Sequence, residues 1–319
     1  MFRIAHISDP HISRQFYREH IKSLKMLLRS IVDMGIDHIV ISGDIVSTGH
    51  EDDYYLAREI FSKLGLLDTK RLTVVPGNHD IFGGPHRAVD VLSFPQHIRG
   101  VDYVRNKNMF VQAFAETFQG VRRLAGRAFF PFVKEIGPFR FLGLNSVPPW
   151  SLRYNPLGTN GFVNQEQFSA LESIVPELQD DEFVNTIICH HHFNDLIREE
   201  EVPSNNFWKK VESKTMRMKK RRKLLRLFSE MNVRYVLHGH IHRNEVYERN
   251  GILFANGAGA ICDDPVRYLK YNVLEHDDGF CSIRICQLPI VYQESMVSMA
   301  LHRNRKPLHI PMPAMGGVE

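Results

Sequence analysis

The chain has 319 residues, 43% of them hydrophobic and 24% charged, a globular composition that excludes disordered, collagen-like and membrane-spanning classes and allows one large α/β domain or two smaller ones. Four cysteines without a CxxC pair exclude a disulfide framework and a zinc finger, and MFRIAHISDPHIS lacks the basic and apolar regions of a secretory leader, so a reduced cytoplasm is expected. Net charge is +4, yet residues 209–226 hold ten Lys/Arg against Glu212, a local +9 that leaves −5 for the remainder.

Short apolar runs alternate with amphipathic stretches, the pattern of an α/β layer protein. A strand is predicted over Phe2–Ile7, then a helix carrying Ile21, Leu24, Leu28, Ile31 and Val32 that stops at Gly35. A strand over His38–Ser42 and a helix with Leu56, Ile60, Phe61 and Leu64, stopping at Gly65, follow, and then a strand over Leu72–Val75. Residues 101–127 read as a helical insertion rich in cations and aromatics. Beyond the strand Phe139–Leu144, Asn164 and Gln167 read as an N-cap and capping-box pair opening a helix with Phe168, Leu171 and Ile174. The strand Thr186–Cys189 leads into a second insertion, 193–223, with an acidic patch, a proline and Phe207-Trp208. A helix with Leu224, Leu227, Phe228 and Met231 precedes the strands Arg234–Leu237 and Ile252–Ala255. One domain is expected over 1–287, with a Pro/Met-rich tail over 288–319.

Five of these strands deliver Asp, His or Asn just past their C-terminal ends: Asp9-Pro10-His11, Gly43-Asp44, Gly77-Asn78-His79-Asp80, His190-His191-His192 and Gly239-His240-Ile241-His242. That edge of an α/β sheet is where loops converge on a ligand. Imidazole and carboxylate without thiolate suit a pair of divalent ions such as Mn, Fe or Zn, and the glycines let the backbone bring the next side chain close.

The ordered set DxH, GD, GNHD, HH and GHxH, spanning residues 9–242, resembles the calcineurin-like metallophosphoesterase superfamily; each motif alone is weak, and five in order are specific. The resemblance implies a four-layer αββα sandwich with helical insertions near the active site. It also implies two divalent ions, Mn foremost with Mg, Fe or Zn admitted. By position, Asp9, His11 and His242 would hold the first ion and Asn78, His190 and His240 the second, with Asp44 bridging. His79 would act as general acid or phosphate clamp and Asp80 would orient it, while a metal-bridging hydroxide attacks phosphorus. The family pattern continues His-Pro where this chain has His192 and Phe193; His191 reaches a substrate phosphate, supports the metal ligands from behind, or is, like His192, a polar loop residue.

Ligands alone do not name a substrate. Lys219–Lys223 places five cations at a helix start, against the macrodipole; it is either a solvated helix face or a contact for anionic lipid or nucleic acid. Phe207, Trp208 and Val211 form an apolar face beside Lys209 and Lys210, as in an interfacial helix or one that simply packs on the domain. These inserts resemble the superfamily branch that cleaves the pyrophosphate of UDP-2,3-diacylglucosamine to UMP and lipid X in lipid A synthesis, above all its alternative form. That implies a nucleotide-linked acylated sugar as substrate, an anionic membrane surface as partner, and a cytoplasmic location on the inner face of the membrane. Substrate contacts would come from His191, Phe207, Trp208, Lys219 and Arg221, with 101–127 or 193–223 as an acyl-binding lid. The −5 remainder offers no extended track for nucleic acid. The alternative is a soluble cyclic-nucleotide or glycerophosphodiester phosphodiesterase, for which GNHD also fits.

Overall fold

The computed structural model describes residues 1–86, 88–126, 128–180, 182–194, 216, 218–242, 244–257, 261, 268–277 and 280–289. Phe207, Trp208, most of the 193–223 insertion and the tail beyond residue 289 lie outside the described residues.

Among the described residues twelve strands and seven α-helices follow in chain order: β1 Phe2–Ile7, α1 Arg18–Asp33, β2 His38–Ile41, α2 Glu51–Lys63, β3 Leu72–Val74, α3 Asn78–Phe82, α4 Ala88–Gly100 and α5 Tyr103–Ala113. The chain continues through β4 Arg122–Arg123, β5 Phe132–Ile136, β6 Phe139–Gly143, α6 Gln165–Ser173, β7 Val184–Ile188 and α7 Arg221–Glu230. It closes with β8 Tyr235–His238, β9 Asn244–Arg249, β10 Ile252–Gly257, β11 Tyr268–Asp277 and β12 Phe280–Pro289.

Helix α1 buries Leu24, Leu27, Leu28 and Ile31, one stripe at helical spacing, and Gly35 stops it with φ +67 just past the cap. β1, β2 and β3 are parallel and read as near-continuous apolar runs, because both faces are covered. They join β11 and β12 in one sheet of order β12-β11-β1-β2-β3; the other runs β4-β5-β6-β7-β8-β10-β9, with β6, β7, β8 and β10 parallel. One apolar cluster joins α1, α2 and the first sheet to Phe132, Phe139, Phe141 and Ile188 of the second; another joins the far face of the second sheet to α6 and α7. The layers are therefore helix, sheet, sheet, helix, and all the parallel strands point their C-terminal ends at one edge.

One expectation about the insertions is corrected. The apolar face of 101–127 is not an open lid: Phe110 and Phe114 are fully buried against Tyr54, and Phe114 also against Phe61. Burial of that size contributes ~1.5–3 kcal/mol per ring, so the segment is part of the core. Phe193 is likewise buried against Phe228 and Phe254 and anchors the chain where the second insertion leaves the sheet.

The cations at the start of α7 are partly compensated. Lys220 Nζ lies 5.2 Å from the Phe162 ring centroid and Lys223 Nζ 3.6 Å from that of Phe168.

Candidate active site

The loops after β1, β2, β3, β7 and β8 bring all seven expected ligands to one place. Ligand atoms of Asp9, His11 and His242 lie within 4.8 Å of one another, as do those of Asp44, His190 and His240. Asn78 Oδ1 is 3.1 Å from His190 Nε2. Asp44 Oδ2 sits between the groups, 3.2 Å from His190 Nε2 and 3.7 Å from His11 Nε2.

The backbone is forced to make this approach. Asp9, His11, Asp44 and His240 all have positive φ, a conformation costly for residues with a side chain and typical of functional sites. A Cβ on Gly77 would stand 2.1 Å from Asp44 Oδ1, and one on Gly239 2.3 Å from Asp9 Oδ2. Only glycine admits the neighbouring carboxylate at these two positions.

The donor set fits a pair of divalent ions. His190 Nδ1 is 2.9 Å from Ser42 O, and since a carbonyl only accepts, Nδ1 carries the hydrogen. Its Nε2 lone pair then faces Asp44 Oδ2, Asn78 Oδ1 and His240 Nδ1, the last at 3.1 Å. On the other side His11 Nε2 and His242 Nε2 are 3.1 Å apart, each 3.6 Å from Asp9 Oδ1. Acceptors crowded against acceptors need a cation between them, and nitrogen and oxygen without sulfur are the ligands of Mn, Fe or Zn.

Electrostatics agree. Burial alone would raise Asp9 and Asp44, but His190 foremost, with the other imidazoles, holds both carboxyls well below the usual carboxylate range. Burial would lower His190, and Asp44 and Asp9 outweigh it to raise it to about 9, so a divalent ion would bind Nε2 by displacing the proton that these carboxylates otherwise hold there. Burial brings His79 down to about 3, against the pull of Asp44.

Asp80 does not orient His79. Its carboxylate accepts from Val46 N at 3.0 Å and Gly77 N at 2.8 Å, so it braces the loop carrying Asp44 and Asn78. Burial, then Asp44, pushes it up to about 7 although both N–H groups pull downward. The imidazole is aimed instead by Ser47, whose carbonyl accepts from His79 Nδ1 at 3.3 Å, leaving Nε2 as the exchanging nitrogen. Gly84 closes on the ring; a Cβ there would lie 1.9 Å from His79 Cε1. Ser47 and Gly84 escape motif reasoning because one acts through its backbone and the other through a missing side chain.

His191 is fully buried, its ring centroid 4.6 Å from that of His240 and 5.2 Å from that of His190. Ser146 holds it: Ser146 Oγ accepts from His190 N and His191 N and donates to His191 Nδ1 at 2.8 Å. Arg221 and Lys219 stitch α7 to the site, Arg221 Nη1 donating to Phe193 O and Lys219 N to Gly161 O. Cys189 is buried, and burial pushes its thiol up, which suits a packing role.

A cleft of about 600 Å³ is lined by Ser13, Arg14, Thr48, Gly49, Phe82, Val101, Arg105 and Met109 together with the acids Glu51, Asp52, Asp53 and Asp102, and none of the seven ligands lines it. Among the described residues no helix is long and apolar enough to cross a membrane.

Residues 2–244 match the family model described as calcineurin-like phosphoesterase. One of the subunits of the nuclease SbcCD of Escherichia coli is 32% identical over 100 residues, which cover 29% of this chain and 24% of that protein, so the match spans about a quarter of the relative's length. A dimetal phosphatase from Danio rerio has a similar structure, with a TM-score of 0.57 at 14% identity, covering 92% of this chain and 99% of that one. Purple acid phosphatase PPD1 of yellow lupin gives 0.55 at 13% identity over 90% of this chain and 51% of its own. These likenesses establish the fold, and with a family match over most of its length the chain belongs to the calcineurin-like phosphoesterases, as a metal-dependent hydrolase.

Proposed function

We propose that the substrate is UDP-2,3-diacylglucosamine, cleaved at its pyrophosphate to UMP and lipid X at an anionic membrane surface, with Mn the foremost metal. The observation that carries this reading is the seat of the basic run. Lys219–Lys223 is pinned beside the site by the backbone bonds Met218 N to His192 O and Lys219 N to Gly161 O. Cations so placed favour a substrate that is itself anionic and borne by an anionic surface.

A pair of divalent ions held by the seven ligands supplies positive charge to the phosphoryl oxygens and lowers the pKa of water. The chain's own residues do the rest. Asp9 and Asp44 stay ionised, fixed by His240 N at 3.0 Å and His79 N at 2.7 Å. His79, aimed by Ser47, is neutral until a phosphate arrives. The negative charge of that phosphate raises the imidazole's pKa, so Nε2 takes up a proton and delivers it to the leaving oxygen.

The test is UMP release from UDP-2,3-diacylglucosamine by the purified protein with Mn²⁺, beside cyclic AMP, bis-p-nitrophenyl phosphate and duplex DNA. The expected result is efficient UMP release with weak turnover of the others. DNA degradation without UMP release would transfer the reading to a nuclease, the activity named for the Escherichia coli relative. Brisk cleavage of the small diesters alone would leave a general phosphodiesterase.

A further inference from the structure

We propose that the loop over residues 146–161 is a membrane-docking element, inserting Leu152 and Tyr154 into the headgroup region of an anionic bilayer. Both ends of this loop are fastened to the active site. At its start Ser146 bonds His190 and His191; at its end Gly161 lies against His191, where a Cβ would come within 2.4 Å of that side chain. Between them the loop turns outward and is held rigid by its own polar groups. Asn155 Nδ2 donates to Pro148 O at 3.1 Å, Asn160 N to Asn155 Oδ1 at 3.0 Å, Asn160 Nδ2 to Tyr154 O at 3.0 Å and Trp150 Nε1 to Pro156 O at 3.3 Å.

So firm a scaffold presents apolar side chains to water. Leu152 is 79% exposed and Tyr154 59%, among the largest exposures of apolar residues described. Arg153 stands between them, its guanidinium 5.2 Å from the Tyr154 ring centroid, and Arg99 lies 5.6 Å from that of Trp150. Residues 146–162 contain no Asp or Glu. At the foot of the loop, Gly161 O accepts from Lys219 N and Phe162 lies under Lys220, which joins the loop to the basic run.

Charge complementarity decides the partner. Leu, Tyr, Trp and Arg are the side chains that settle at a membrane–water interface, and an acid-free segment beside five consecutive cations is attracted to anionic headgroups. Two projecting side chains on a narrow tip do not offer the ~800 Å² that a protein partner needs. The inference deepens the reading above, since it supplies the face through which a lipid-borne substrate meets the site.

The experiment is co-sedimentation of the purified full chain with vesicles of phosphatidylcholine, with and without phosphatidylglycerol. It is run for wild type, Leu152→Ser/Tyr154→Ser and Arg153→Glu, beside turnover of detergent-dispersed substrate. Wild type should bind the anionic vesicles, and the double variant should bind about tenfold more weakly or worse. Arg153→Glu should weaken binding to anionic vesicles specifically, and both variants should keep detergent-phase turnover, which shows the site intact. Wild-type failure to bind, or undiminished binding by the double variant, overturns the proposal. Vesicle binding lost in the double variant while wild type releases no UMP would keep the docking loop and remove the substrate reading.

Discussion

The loops after β1, β2 and β3 hold carboxylates with backbone N–H groups, whereas the loop after β7 holds imidazoles with a carbonyl and a hydroxyl. Asp44 accepts from His79 N, Asp80 from Val46 N and Gly77 N, and Asp9 and Asp44 themselves have positive φ. His190 instead leans on Ser42 O, and His191 on Ser146 Oγ. The difference follows from what each ligand must have fixed. A carboxylate needs its charge kept, which N–H dipoles do; an imidazole needs its tautomer and lone-pair direction kept, which an acceptor on the opposite nitrogen does. The first half should therefore fail by losing charge and the second by losing aim. Asp44→Asn attacks the charge shared by both ligand groups. It should abolish metal retention at both positions and cut turnover by at least ~10³-fold, as for removal of a preorganised charge-stabilising group. Metal content by atomic emission beside turnover checks this; retention of two ions would show that Asp44 does not join the groups.

His79 sharpens the comparison, because it stands on the first half yet is held as an imidazole is. His79→Ala should lower turnover by ~10²–10⁴-fold, the usual contribution of a general acid, while metal content stays at the wild-type level. Loss of the ions in that variant would make the residue a ligand or its support.

The parallel strands were readable from sequence because burial on both faces turns them into plain apolar runs, and the ligand motifs sit directly after them. Antiparallel β4, β5, β9, β11 and β12 carry no such signal. They run at the flanks of the sheets, where polar residues interrupt the apolar ones, as in Phe-Val-Lys-Glu-Ile of β5. The capping pair was half legible: Asn164 Oδ1 accepts from Gln167 N, but the Gln167 amide turns inward to the backbone of Asn145. Among the site residues, motif order brought out the ligands, which act through side chains at fixed spacing. Ser146, 44 residues from His190 in sequence, carried no motif and is seen only once β6 and β7 pair.

Ser146→Ala tests the second half by its aim. His190 N and His191 N lose their acceptor and His191 Nδ1 its donor, so metal affinity or turnover should fall ~10–100-fold, the scale for a residue that supports ligands. Both ions should still bind at saturating metal. Complete loss of binding would mean the hydroxyl is needed for the fold of the loop and not for the aim of the rings.

The smallest expected effect lies away from the edge, between the sheets. Lys134 on β5 is buried, donating to Leu72 O at 2.8 Å and Thr117 O at 2.9 Å, two acceptors that match the two hydrogens of a neutral amine. Burial brings it down to about 7, against a weak upward pull from Asp68, while its own charge, after burial, helps lower His38. Because the folded value is below the ordinary 10.5, the unfolded chain binds more protons between those two pH values. Stability therefore rises with pH through that window by up to ~1.4 kcal/mol per unit, and below pH ~7 the full penalty of the buried charge persists. Lys134→Met should remove this rise. Urea unfolding at pH 7.5 and pH 9 should show wild type gaining more stability than the variant; equal gains would mean that Lys134 stays protonated in the folded chain and that its two carbonyl partners hold an ammonium.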